Sequence, residues 1–167
     1  QSRNVEARIG RLTKDFLIAL IAVSFTLLTL GLRSAGLVMV SIPLSLAMGL
    51  SALYFTGYTL NQLSIAGFVV ALGLLVDDSI VVTENIARYL RLGHDRAEAA
   101  LLATRQITLA VLGSTATLLF AFLPLLALPG ESGNFIRGLP LAVTFTVTAS
   151  LIVALTIIPF LASRTLP

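Results

Sequence analysis

Two aspartates stand side by side, Asp77-Asp78, inside the apolar run Gly73-Leu74-Leu75-Val76-Asp77-Asp78-Ser79-Ile80-Val81-Val82. One Asp at the centre of a membrane helix costs about 2.5–3.5 kcal/mol, so a charged pair costs on the order of 5–7 kcal/mol. A cost of that size is carried where the groups face a polar cavity or a partner. Consecutive helix residues point about 100° apart. Both carboxylates can therefore reach one interior but not along one direction. Burial disfavours the charged form, and each carboxylate disfavours charge on the other. An opposite charge from a second helix reverses both effects. Such a pair can gain and lose a proton when a neighbour moves, as a proton-coupled conformational switch requires. The other readings are a structural pair held by interhelical hydrogen bonds, or an ion site.

The elements that must position this pair are membrane helices. The chain has 167 residues, 57% of them hydrophobic and 11% charged. Soluble domains carry about 45–50% apolar and about 25% charged residues. That contrast excludes a soluble globular enzyme, and the apolar content excludes disorder. The chain has no cysteine and one histidine, His94. No metal site, disulfide framework or thiol nucleophile is expected, and no cofactor. The net charge is +3 with no tryptophan. The bases are scattered without interleaved aromatics, so the expected partner is the lipid bilayer and not nucleic acid.

A spanning helix needs about 20 mainly apolar residues. Five stretches qualify: 16–32, 36–58, 61–86, 107–128 and 139–163. The fold class is thus all-α, a polytopic helical bundle with about five transmembrane helices. The alternating segments of a β-barrel are absent. Residues 1–15 form an amphipathic leading helix, with Val5, Ile9, Leu12 and Phe16 on one stripe. Residues 87–106 form a polar loop with a short helix. In it Gly93 suits a left-handed C′ position, and Asp95 with Glu98 reads as a capping box. Pro43 and Pro124 are expected to bend their helices. Ala110, Gly113, Ser114 and Thr117 form a small-residue face suited to close packing, and Gly67 and Gly73 thin the Asp helix. Arg33, Arg88, Arg91, Arg96, Arg105 and Arg164 lie on the side of the long loop, against Arg137 and the four bases of the leading segment, nearly a tie. If a large domain precedes Gln1, the leading charges count for less and the loop is expected in the cytoplasm.

The stretch Gly73 to Ile86, GLLVDDSIVVTENI, resembles the fourth transmembrane helix of the resistance–nodulation–division (RND) efflux pumps. Its marks are the Asp pair, the apolar run before it, and Val81-Val82-Thr83-Glu84-Asn85 after it. Leu32-Arg33-Ser34, Ile42-Pro43, Tyr58-Thr59-Leu60-Asn61 and Ile158-Pro159 resemble that family at their own positions. The likeness covers about helices two to six of a twelve-helix protein. It implies a bacterial inner-membrane, multi-pass secondary transporter and not an enzyme. Asp77 and Asp78 are implied as a proton relay driven by the proton motive force, coupled to export of drugs or hydrophobic compounds. The implied partners are a periplasmic domain and a second helical half whose lysine pairs with the aspartates. A homotrimer, a periplasmic adaptor and an outer-membrane channel are implied as well. The paired acids resemble the drug branch more than the heavy-metal branch, whose helix usually carries one Asp. A lipid- or sterol-moving member of the superfamily is the other alternative.

Four further residues are candidates to support the pair. Ser79 and Thr83 can hydrogen-bond within a relay, although such hydroxyls usually bond their own backbone. Glu84 and Asn85 line an exit or cap the interface, and the interfacial role is favoured. The hydroxyls of Thr144, Thr146, Thr148 and Ser150 are expected to bond within their own helix. An intramembrane aspartyl protease is disfavoured, because its acids come from different helices and one lies in a Gly-x-Gly-Asp motif.

Overall fold

The computed structural model describes residues 31–166 apart from 59, 131, 132, 134 and 135, with positions 14, 18, 21 and 25 singly. The expected leading helix at 1–15 and first span at 16–32 fall outside this set, save those single positions and the last two residues. The described residues form helices without a strand. Helix α1 is Leu32–Phe55, α2 is Gln62–Arg91 and α3 is Arg96–Leu126. Helix α4, Gly138–Ile152, continues through a π turn at Val153–Ile157 into α5, Ile158–Thr165. Four continuous helices are long and apolar enough to cross a membrane: α1, α2, α3 and the α4–α5 unit. The protein is a multi-pass, all-α membrane protein.

Local chemistry sets the helix ends. Asn61 Oδ1 accepts from the Ser64 backbone N–H at 2.8 Å, and Ser64 Oγ accepts from the Asn61 N–H at 2.8 Å. This reciprocal cap starts α2 and satisfies two otherwise orphaned donors. Gly93 ends the same helix at φ +92°, the left-handed conformation expected of it. Its N–H donates to Leu90 O and the His94 N–H to Tyr89 O, closing the last turn as a Schellman motif. Asp95 does stand at the N-cap of α3, but its side chain accepts no capping bond. Glu98 instead approaches His94 Nδ1 at 3.4 Å. The expected capping box is therefore absent.

Helix α4 packs against all three other spans. Its closest approaches run over glycine. A Cβ added to Gly67 would lie 2.6 Å from Leu139 O, and one at Gly49 would collide with Thr146. Small residues let backbones meet in this way where lipid offers no hydrophobic drive. Gly73 differs: nothing lies within 4 Å of an added Cβ there, so it thins no contact among the described helices. One apolar cluster joins Val82 and Ile86 of α2 to Ala100 and Ala103 of α3 and to Val153, Ala154 and Ile158. A second joins Ala35, Val38 and Ile42 of α1 to Leu72, Leu75 and Val76 of α2. Both clusters hold the stretch of α2 that carries the acids.

Candidate functional site

Helix α2 has 30 residues, about 45 Å at 1.5 Å per residue. A hydrocarbon core is about 30 Å thick, so this helix has length to spare beyond the apolar layer. Asp77 and Asp78 lie just past its middle. The 100° step between them decides their surroundings: Asp77 is exposed and Asp78 is half-buried. Thr115 of α3 donates its hydroxyl to Asp78 Oδ2 at 3.2 Å. Thr115 is itself buried, so α3 presents a fixed donor to one carboxylate only.

The pair opens on a groove of about 490 Å³ between α2 and α3. Ile80, Val81, Ala110, Val111 and Ser114 complete its walls. Ala110 and Ser114 of the small-residue face of α3 thus line the groove. Ala110, Gly113, Ser114 and Thr117 are exposed, and no described helix covers them. A second hollow of about 260 Å³ continues along the same helix pair, lined by Val81, Glu84, Asn85, Arg88, Arg91 and Ile107. Val81 belongs to both hollows, so the second lies beside the first toward the arginine-bearing end of α2.

The four supporting candidates separate. Asn85 donates from Nδ2 to Ala103 O at 2.9 Å and to Gln106 Oε1 at 3.2 Å. It fastens α2 to α3. Glu84 is exposed in the second hollow. Ser79 and Thr83 are fully buried and line neither hollow. The structure does not bring them together with the acids.

Thr146 and Thr148 bond carbonyls of their own helix, Ala142 O and Thr144 O, as expected. Ser150 does not. It donates to Leu75 O across the helix interface at 2.8 Å, one turn before the acids. Nothing in the sequence separated this serine from the threonines beside it. Thr115 was missed as well. It could have been found as a hydroxyl one turn from Val111, facing the Asp helix. Among the described residues no cluster of three or more potential metal ligands exists.

The model of the AcrB/AcrD/AcrF family matches residues 1–167. The chain belongs to this family. It is the RND transporter family that the stretch from Gly73 to Ile86 resembles. Among its relatives is Multidrug resistance protein MdtC of Escherichia coli O9:H4 (strain HS), 40% identical over 122 residues. The match covers 73% of this chain and 12% of that protein. MdtC of Shigella sonnei (strain Ss046) matches to the same extent, and MdtC of Shigella flexneri is 39% identical over 122 residues. The chain spans about an eighth of the length of these relatives.

Proposed function

We propose that this chain is the proton-relay segment of a secondary active RND transporter that exports drugs or hydrophobic compounds against protons. The observation that carries the proposal is the placement of Asp77 and Asp78 on an open groove between α2 and α3. A carboxylate pair there is reachable by a helix from another part of the transporter. A cation on that helix, such as a lysine, would favour the charged carboxylates, and its withdrawal would favour proton uptake. Thr115 holds one carboxylate in place through both states. Glu84 and the arginine-lined hollow lie on the side of the loop at 92–95, which in this reading is cytoplasmic.

The rest of the proposal follows from family membership and the multidrug names of the relatives. The chain works with the remaining helices and a periplasmic domain of the same transporter, in the bacterial inner membrane. That transporter is a homotrimer coupled to an adaptor and an outer-membrane channel, and the proton motive force drives it. The test is Asp77→Asn and Asp78→Asn in the full-length transporter, with dye efflux and drug susceptibility as readouts. Each variant is expected to lose export to the level of cells lacking the transporter. Wild-type export by both, at normal expression, would overturn the proposal.

A further inference from the structure

The covered face of α2 leaves only neutral groups without partners. Ser79 and Thr83 are fully buried, and among the described residues neither hydroxyl has a hydrogen-bond partner. The open face leaves charges without partners. Glu84, Arg88 and Arg91 are exposed and line the second hollow. Glu84 and Arg88 stand four residues apart, the spacing at which side chains on a helix can pair. They do not pair: among the described residues the one ion pair joins His94 to Glu98. Asn85, in the same hollow, spends its amide on Ala103 O and Gln106 Oε1 of α3. The polar groups left to meet an occupant are therefore the one acid and the two arginines.

The charges on this face change sign along the helix. Asp77, Asp78 and Glu84 are negative, and Arg88 and Arg91, nearer the loop, are positive. Arg88 follows Asp77 by eleven residues, about 16 Å of helix. The two hollows adjoin at Val81. A helix lying along the first can thus continue over the second. Ala110 and Ser114, exposed on α3, let its backbone come close.

We propose that the second hollow is a docking surface for a helix of the remaining transporter, and that this helix carries a carboxylate facing Arg88 and Arg91. The inference rests on the reading that a helix from another part of the transporter meets the acid groove, and it adds a charge order to that helix. A base faces the aspartates, and an acid follows about two to three turns toward the loop. Two observations favour a protein carboxylate over a lipid headgroup. Basic pockets between membrane helices do bind anionic headgroups. Here, however, a phosphate on the arginines would share the hollow with the Glu84 carboxylate. A helix can change sign from one turn to the next, and a phosphate cannot. The chain also spans only 12% of the length of a relative such as MdtC, which leaves most of such a transporter to supply the helix.

The test uses the full-length transporter. A cryo-electron microscopy map should show an Asp or Glu carboxylate, from outside the 167 residues, within about 4 Å of the Arg88 or Arg91 guanidinium. Arg88→Glu should lower both the melting temperature and export, because it sets two carboxylates against each other. Arg88→Lys keeps the charge and should lose less of each. Phospholipid density on the arginines overturns the proposal, and so does an open hollow or a facing surface without an acid. Wild-type melting and export in Arg88→Glu overturn it as well. If Arg88→Glu fails to fold, the wild-type map decides. The aspartate variants keep the two readings apart. Export lost in Asp77→Asn and Asp78→Asn, with no acid at the arginines, rejects this inference alone. Wild-type export in both, with the acid in place, rejects the relay alone.

Discussion

Helix α2 treats polar groups differently on its two faces. On one, Asp77, Val81, Glu84 and Arg88 follow at spacings of four, three and four and stay exposed. On the other, Leu75, Ser79, Thr83 and Ile86 are fully buried. Charge is confined to the face that no described helix covers, and the covered face carries only neutral hydroxyls. The energetics account for this division. An unpaired buried hydroxyl costs about 1–3 kcal/mol, whereas an unpaired buried charge costs several kcal/mol even after relaxation. The covered face can hold hydroxyls without a partner from elsewhere. The charged face needs a partner, and the groove leaves room for one. The difference separates residues left open to another part of the protein from those that shape the helix contact.

The largest expected effect breaks the comparison at its charged face. Asp77→Asn and Asp78→Asn should each abolish export. Glu84→Gln should reduce it less, since Glu84 lies exposed in the second hollow and not beside the aspartates. Efflux of one dye, measured for all three variants at matched expression, ranks them. A loss at Glu84 as deep as at the aspartates would extend the site to the whole charged face. It would also refute the interfacial role for Glu84.

Packing comes next. Gly67→Val places a side chain against Leu139 O and Ala142, where an added Cβ already lies 2.6 Å from the oxygen. Overpacking of that kind costs about 1–3 kcal/mol. Gly73→Ala, with nothing within 4 Å, should instead gain about 0.5–1 kcal/mol from the helical backbone. Thermal unfolding of the two variants in detergent should therefore move in opposite directions. Equal losses would mean that another part of the protein packs against Gly73.

These features were unequally legible in the sequence. The acid pair stood out because charge in an apolar run has few explanations. Gly93 was readable because a left-handed C′ position favours glycine. The cap of α2 was not, because Ser64 replaces the Glu or Gln of the usual pattern while doing the same work. The small-residue face of α3 was found, but periodicity identifies a face and not its partner. That face was expected to be packed; no described helix covers it, and Ala110 and Ser114 line the open groove. The π turn had one trace in the sequence, Pro159, whose missing N–H favours a local change of hydrogen-bond register. The choice of Ser150 over Thr146 or Thr148 for the interhelical bond depends on rotation about the helix axis, finer than composition can resolve.

A moderate effect is expected where α2 meets α3. Asn85→Ala removes both amide bonds, to Ala103 O and Gln106 Oε1. Neutral hydrogen bonds contribute about 0.5–1.5 kcal/mol each. Unfolding should show a loss of about 1–3 kcal/mol for the two bonds together, with export reduced only as far as stability falls. An export defect without a stability defect would place Asn85 in the relay.

The smallest effect tests how the covered face shares its acceptors. Ser150→Ala removes the bond to Leu75 O, and interhelical hydrogen bonds in membrane proteins average about 0.6 kcal/mol. The freed lone pair then becomes available to the Ser79 hydroxyl, four residues along the same helix. Part of the loss is recovered in this way, so Ser150→Ala alone should look milder than the bond it breaks. In a Ser79→Ala background no hydroxyl can take the vacated position, and Ser150→Ala should cost more. The four melting curves form a double-mutant cycle, and a coupling of about 0.5 kcal/mol or more is expected of residues that share a partner. Strict additivity would mean that Ser79 and Ser150 never compete for Leu75 O. The burial of Ser79 without a backbone acceptor would then need another cause, and the contrast between the two faces of α2 would rest on charge alone.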